Sequence, residues 1–380
     1  MLSKYQNKIL IVNGFNSTNG GGLRIFGGFV RYLTANINWV RNKKTIIIFS
    51  ANHSESLVNL ARNNGLRVVV FRVTGLRLVD NFILYYIYFP FLYIKNGESA
   101  FLINFGDIIV PFVRRQLYYF DWLYAVVKAP EIWAEMKLTV RISRLLKCAQ
   151  IKIFIDTPKI VTVQSRFVAD QMSRILGRKS LHIIPCPIDK PSRDVSVRLQ
   201  DSCRCLPETP KLLCLSSFAT HKNVRILADV AERLLSRNIN VKILLTLDNQ
   251  DKEVKSFLKR IQESELNSIL INIGVLTPSE VESWINECDA LLLPTKLETF
   301  GLPFMEGLSR GKPILTSDLA FAREVCQTGT IFFNPDNPDD ITEKINQFLV
   351  QGGVLINHEI VESIMEECRP EKVYARILGL

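Results

Sequence analysis

"ALLLPTKLETFGLPFMEGLSRGKPILTS", residues 290–317, carries a strand, a turn, a helix and a second strand. Ala290 to Leu293 is an apolar run with the length of a short buried strand, and Pro294 stops it. Gly301 permits a tight turn. Pro303 suits the first helical position, where a missing N–H costs nothing, so a helix is expected from about Leu302 to Arg310. "KPILTS" (312–317) then reads as the next strand. Glu298 falls on the strand-to-helix loop and Glu306 in the early turns of the helix. Between the two acids lies a helix N-terminus, whose free N–H groups attract anions.

The same alternation of apolar runs and helix-length amphipathic segments fills the chain in both directions, the pattern of α/β domains with parallel sheets. Ahead of the opening stretch, strands are expected at 211–217, 241–247 and 268–274, with a helix from about Asn223 to Ser236; after it comes 329–335. The first half repeats the pattern at 8–14, 45–50, 67–73, 100–106, 115–122, 160–165 and 180–185, with loop and helix over 20–36. Two sheets follow. The segment 185–211 is rich in Pro, Ser and charge and lacks periodicity, so it reads as the connection. The expected division is residues 1–187, 188–365 and a C-terminal helical tail, 366–380, that packs back on the first domain. A helical pattern near the C-terminus breaks at Pro370.

A length of 380 residues suits two or three domains, and 47% hydrophobic residues suffice for sizeable cores. The eight cysteines (148, 186, 203, 205, 214, 288, 326 and 368) include no CxxC pair, which favours reduced thiols in a cytoplasmic protein. The opening residues do not read as a secretory signal. Asn81 to Ile94, "NFILYYIYFPFLYI", is the most lipid-like stretch, but it falls short of the roughly 20 residues that span a bilayer, and Pro90 interrupts it. It reads as a buried helix, with an interfacial segment as the alternative. Charge is uneven: residues 1–185 hold 25 Lys+Arg against 9 Asp+Glu, and the remainder 22 against 28. The two halves therefore meet different partners.

Three elements could carry chemistry. Gly20, Gly21 and Gly22 follow the first strand and open a helix, where glycine lets backbone N–H groups approach a phosphate or a sugar; a tight turn needs glycine too, and the G-x-G-x-x-G dinucleotide spacing is absent. In the second half, Lys222 of "LSSFATHKNVRIL" sits where the chain enters a helix, so its ammonium can meet an anion above the sheet's carboxyl edge or simply be solvated. The third is the Glu298/Glu306 stretch. Its plainer reading is a surface acid and a carboxylate offsetting the helix dipole.

Taken together, Gly20–Gly22, "HKN" (221–223), "IGVLTPSEVESWINECDALLLPT" (273–295), the E-x7-E from Glu298 to Glu306 and "GKPILTSDLAFAREV" (311–325) resemble the retaining nucleotide-sugar glycosyltransferases of family 4, among them bacterial surface-polysaccharide enzymes. The match is strong over about 205–350 and rests on the glycine loop and strand order before that. It implies two facing Rossmann-like domains, the B-type glycosyltransferase fold, with a cleft between an N-terminal acceptor domain and a C-terminal donor domain. It gives Glu306 the nucleotide ribose, Glu298 the donor sugar's hydroxyls, the N–H groups of Phe300, Gly301 and Leu302 the sugar and diphosphate, and Lys222 the leaving phosphates. Gly274 and Val275 would meet the nucleobase. Where the family commonly has Gly-Arg, this chain has Ser216-Ser217, so Ser217 stands in place of a phosphate-binding guanidinium, a role that Arg24 or Arg166 could take over. The family's histidine near the donor sugar has no comfortable match in His53 or His182.

The resemblance further implies transfer of a hexosyl-type sugar from a nucleotide-diphosphate sugar to a saccharide or lipid-linked acceptor, with retention of anomeric configuration. No metal or other cofactor is expected, since no Asp-x-Asp or HExxH motif occurs. In "EIWAEMKLTVRISRLLK", Lys137, Arg141, Arg144 and Lys147 make one helical stripe, with Ile132, Met136, Leu138, Ile142, Leu145 and Leu146 elsewhere on the helix. Such a helix can lie on anionic lipid or pack on a core with its basic face solvated. A lipid-linked acceptor favours membrane contact and a place on the cytoplasmic face. No nucleic-acid partner is expected, for want of a recognised motif or stacking platform. The competing readings are a degenerate, non-catalytic nucleotide-sugar binder, a nucleotide-sugar epimerase and a phosphorylase on a similar scaffold.

Overall fold

The structure, a computed structural model, describes residues 9–18, 20–36, 44–72, 74, 76–191 and 209–379. The chain divides into two compact units, one made of residues 1–187 with 367–380 and the other of 188–366. Most of the connecting segment, with Cys203 and Cys205, lies outside the described residues.

The first unit is built on β1 (Ile9–Asn13), β2 (Lys44–Ser50), β3 (Arg67–Phe71), β4 (Ala100–Asn104), β5 (Gln116–Tyr119), β6 (Ile160–Val163) and β7 (His182–Ile183), in the order β3-β2-β1-β4-β5-β6-β7. Every pairing is parallel. "IIIF" in β2 and "AFLI" in β4 are buried on both faces, as strands between two helical layers must be. The second unit repeats the scheme with β8 (Lys211–Cys214), β9 (Lys242–Leu245), β10 (Leu270–Asn272), β11 (Ala290–Leu293), β12 (Ile314–Ser317) and β13 (Thr330–Phe333), ordered β10-β9-β8-β11-β12-β13. Its pairings are parallel as well. In both sheets the chain steps outward from the first strand, then returns to its other side. The reversal opens a crevice at the carboxyl ends of β1 and β4 in one unit and of β8 and β11 in the other. Each apolar run expected to be a strand forms one, most of them shortened at their ends, while Lys44–Ser50 gains a residue and Ala290–Leu293 keeps its bounds.

The helices show two departures. Residues 77–96 do not form a buried helix. An α-helical start, Arg77–Phe82, passes into a π-helical stretch, Ile83–Tyr88, and then into Phe89–Asn96. Pro90 sits in the first turn of that last piece, where it breaks nothing. Leu84, Tyr85 and Phe89 turn inward while Phe82, Ile87, Phe91 and Ile94 stay exposed. The basic segment 131–147 is likewise not one helix. It splits into Pro130–Ala134 and Leu138–Phe154, with Lys137 as the cap between them. No helix among the described residues is long and apolar enough to cross a membrane.

The C-terminal helix Pro370–Leu378 belongs to the first unit and lies on the helix Gly20–Ala35. Tyr374 donates its hydroxyl to the Ile25 carbonyl at 3.0 Å, and its ring meets Phe29 at 5.6 Å. Gly28 makes this possible, because a Cβ there would stand 2.1 Å from the Tyr374 oxygen. Gly28→Ala is therefore expected to destabilise the first unit by about 1–3 kcal/mol, measured as a lowered urea midpoint. Adding Tyr374→Phe, which removes the obstructing oxygen, should make the double variant lose less than the sum of the two single losses.

Candidate functional site

At the carboxyl edge of the second sheet, two loops meet around the end of β11. The loop after β8 runs through Leu215, Ser216 and a single 3-10 turn, Thr220–Lys222. Asn223 closes that turn in a left-handed conformation, φ 56°, and donates its side-chain amide to the Pro335 carbonyl at 2.8 Å. The His221 carbonyl accepts the Lys296 N–H at 2.8 Å, which ties this loop to the one after β11. The ammonium of Lys222 is thus delivered to the carboxylate of Glu298, and the two form an ion pair. Thr295, buried, holds its hydroxyl 3.2 Å from the same Glu298 oxygen. A small pocket opens here. It is lined by Leu215, Ser216, Lys222, Leu293, Pro294, Thr295, Glu298, Gly301, Pro303 and Phe304.

Gly301 caps the helix Leu302–Leu308 with φ 79°, a conformation that suits glycine, and a Cβ would also strike the Phe304 ring at 2.5 Å. The helix opens where residues 302–310 were expected to and ends two residues earlier. Phe300 is buried and Leu302 half-buried. Glu306 is buried in the middle of this helix, and its backbone carbonyl accepts from the Arg310 guanidinium at 3.0 Å. Arg310 in turn pairs with Glu282 at 2.9 Å. Burial draws the arginine's pKa down while the Glu282 carboxylate works against that shift.

Lys222, Glu298 and Gly301 therefore share one pocket wall. Ser217 does not line that pocket; it is exposed, and its carbonyl accepts from the Ser216 hydroxyl at 3.2 Å. Gly274 turns the chain after β10 with φ 82°, and Val275 beside it is exposed; neither lines the pocket. Direct pairing of Lys222 with Glu298 was not foreseen. Nor were Thr295, Asn223 and Arg310, whose roles depend on partners distant in the chain. The nearest signal in the sequence was Thr295's place directly after a strand-ending proline.

In the first unit, Gly20, Gly21 and Gly22 form the first turn of the helix Gly20–Ala35 rather than a loop before it, and Gly20 has φ 53°. A Cβ on Gly22 would lie 3.7 Å from a carboxylate oxygen of Asp121, in ordinary contact. Asp121 follows β5, and burial, reinforced by the charge of Asp107, raises its pKa to about 7 against the opposing pull of Lys147. His53 is not placed as a sugar ligand. It is buried, with Nε2 2.9 Å from the Ser17 carbonyl and Nδ1 accepting the Ser50 N–H at 3.0 Å. Burial lowers its pKa, with backbone hydrogen bonds opposing.

The expected basic stripe is divided. Lys147 pairs with Asp107 and lies 5.4 Å over the Trp122 ring, and Arg144 stacks 4.1 Å over Tyr124. Lys137 and Arg141 are exposed. Of the apolar residues placed elsewhere on that helix, Leu138, Ile142, Leu145 and Leu146 are exposed and Ile132 is buried. The aromatic rings and the Asp107 carboxylate draw the cations inward and turn the apolar side out. Among the described residues no group of three or more His, Cys, Asp or Glu is placed to hold a metal ion. The cysteines at 148, 186, 214, 288, 326 and 368 are free, and burial pushes Cys214 and Cys288 up to about 12.

Comparison with known proteins fits this arrangement. Residues 205–359 match the family model of glycosyl transferases group 1. An uncharacterized glycosyltransferase of Methanocaldococcus jannaschii is 26% identical over 157 residues, which is 41% of this chain and 40% of that protein. A D-inositol 3-phosphate glycosyltransferase of Pseudarthrobacter chlorophenolicus is 24% identical over 29% of this chain and 27% of the relative. The matches thus span less than half of the curated relatives' length. Among solved structures, sucrose-phosphate synthase from Thermosynechococcus elongatus superposes with a TM-score of 0.72 at 12% identity, covering 98% of this chain and 97% of the other. Anabaena HepE in complex with UDP and glucose gives 0.71 at 14% identity, with 98% of each chain covered. At such identities the likeness shows the fold, and it shows it over both units. Residues 205–359, most of the second unit, are therefore similar to the glycosyl transferases group 1 model, and the chain has the B-type, two-sheet glycosyltransferase fold.

Proposed function

We propose that the protein is a retaining glycosyltransferase that moves a hexosyl-type sugar from a nucleotide-diphosphate sugar to a saccharide or lipid-linked acceptor, without a metal. The observation that carries this reading is the meeting of Lys222, Glu298 and the Gly301 turn at one pocket of a group 1 domain. HepE, of the same fold, has been seen with UDP-glucose. That supports a nucleotide-sugar donor here.

In this mechanism the ion pair opens when donor binds. The ammonium of Lys222 exchanges one carboxylate for the more highly charged diphosphate, and Glu298, released but still close to the Thr295 hydroxyl, accepts hydrogen bonds from the sugar. N–H groups of Phe300, Gly301 and Leu302 add oriented dipoles. Glu306 takes the ribose, Gly274 and Val275 flank the base, and Ser217 lies beside the phosphates. The acceptor oxygen attacks the anomeric carbon on the face the diphosphate leaves, and the acceptor's proton passes to a leaving phosphate oxygen. Catalysis is then stabilisation of charge on the departing diphosphate.

The first unit takes the acceptor, and the backbone of Gly20–Gly22 is kept for the donor. Its excess of basic residues suits an anionic membrane, on whose cytoplasmic face the chain is proposed to act as a peripheral protein in polysaccharide assembly. WaaG, a glycosyltransferase involved in lipopolysaccharide biosynthesis, shares the fold with a TM-score of 0.64 at 14% identity, covering 98% of this chain and 100% of its own.

Two tests follow from the site. Lys222→Ala is expected to lower turnover about 100-fold and Glu306→Ala to weaken donor binding about tenfold, measured by calorimetry and transfer assays with candidate nucleotide sugars. Wild-type values in both would remove the assignment. Asp121 makes stability depend on pH. Its pKa is about 7 in the fold and about 3.9 unfolded, so the folded state binds more protons between those values and stability falls as pH rises through that window. Asp121→Asn should abolish this fall, seen as a urea midpoint that drops less than the wild type's between about pH 5 and about pH 8.

A further inference from the structure

One face of the first unit is apolar and open to solvent. Phe91 is 57% exposed, Ile94 78%, Phe112 71% and Leu138 71%. Phe91 and Ile94 sit on the segment 77–96, Leu138 opens the helix Leu138–Phe154, and Phe112 meets the far end of that helix. Phe82 stacks on Tyr86 at 5.3 Å, Tyr86 meets Phe154 at 6.3 Å, and Phe154 meets Phe112 at 5.9 Å. An aromatic ridge thus joins residues 77–96 to the helix Leu138–Phe154. Soluble monomers rarely expose contiguous apolar ground of this kind without a use for it.

Charge decides what covers it. Residues 81–96 contain one charged side chain, Lys95, and residues 138–154 contain Arg141, Arg144, Lys147 and Lys152; neither stretch has an Asp or Glu. Asp80, just before, is buried and takes the Thr74 N–H at 3.0 Å. Lys95 lies 6.0 Å over the Phe91 ring, so a cation and an exposed aromatic occupy the same patch. A second copy of this face would set like charges against each other. Phosphate headgroups above hydrocarbon match both of its components.

We propose that residues 77–96, Phe112 and the helix Leu138–Phe154 form a single docking face that seats on an anionic lipid leaflet. Phe91, Ile94, Phe112 and Leu138 enter the boundary between headgroups and acyl chains, while Arg141 and Lys152, both exposed, meet phosphates. The helices lie along the surface and do not cross it. This deepens the membrane part of the function proposed above and assigns it to a bipartite apolar face in place of a basic stripe.

Sedimentation of the full chain with phosphatidylcholine vesicles, with and without phosphatidylglycerol, tests it. The wild type is expected to sediment with the anionic vesicles. Combined Ile87→Ser, Phe91→Ser and Ile94→Ser, and separately combined Arg141→Glu and Lys152→Glu, should each cut the partition coefficient about tenfold or more. Leu355→Ser, at a side chain 91% exposed in the second unit, should leave it unchanged. Wild-type partition by the triple variant, equal partition into vesicles without phosphatidylglycerol, or self-association with no vesicle binding would each overturn the proposal. Circular dichroism checks that the variants fold. Nucleotide-sugar binding, measured on the same samples, reads the transferase assignment separately: donor binding without vesicle binding removes only the docking face, and vesicle binding without donor binding removes only the transferase.

Discussion

A parallel strand flanked by helices is buried on both faces, so its chemistry can leave the sheet only at an end. This constraint organises each unit. β8 and β11 run side by side in the same direction, and the loops that follow them emerge on one edge. Lys222 and Glu298, 76 positions apart in the chain, come to the same edge for that reason. Reversing either strand would send its loop to the opposite edge and separate the pair. The first unit obeys the same rule: Gly22, after β1, and Asp121, after β5, come near each other because both strands point the same way.

An ion pair is a costly way to keep a half-buried lysine, since each charge has given up water and the attraction only partly offsets that loss. The pair becomes sensible if the ammonium is held for another anion. Asn223, Lys296 and Thr295 fix the backbone and the carboxylate around it through short-range hydrogen bonds to Pro335, His221 and Glu298. The cationic group is held in position, and on the proposed reading an incoming diphosphate would displace one carboxylate without reordering the loop. Preorganised charge of this sort is what transfer from a phosphate leaving group requires.

Strands and their order of appearance were readable because parallel strands are continuous apolar runs, as in "TIIIF" and "ALLL", and the turn at Gly301 was readable because glycine and proline state their backbone needs locally. Partnerships were not. Nothing near Arg144 or Lys147 announces that Tyr124, Trp122 and Asp107 will receive them. A stripe of cations looks like a solvent face on a helical projection, yet here flat rings and a carboxylate on neighbouring segments outweigh water. Residues 81–94 misled in a related way, since apolar composition without a clear period identifies a helix without saying which side is covered.

The consequence of that inversion reaches the function. With Arg144 and Lys147 held by internal partners, the helix Leu138–Phe154 leaves Leu145 and Leu146 exposed beside Arg141, and the neighbouring segment offers Phe91 and Ile94 in the same state. Two adjoining elements would each have to tolerate exposed hydrocarbon independently if water were the intended neighbour. The proposed lipid surface would satisfy both, and it would ask of the remaining exposed cations only what Arg141 and Lys152 already provide. The constraint that gathers Lys222 and Glu298 at a sheet edge and the stacking that turns these helices outward act on separate parts of the chain, so the proposed donor recognition and the proposed surface attachment can vary independently.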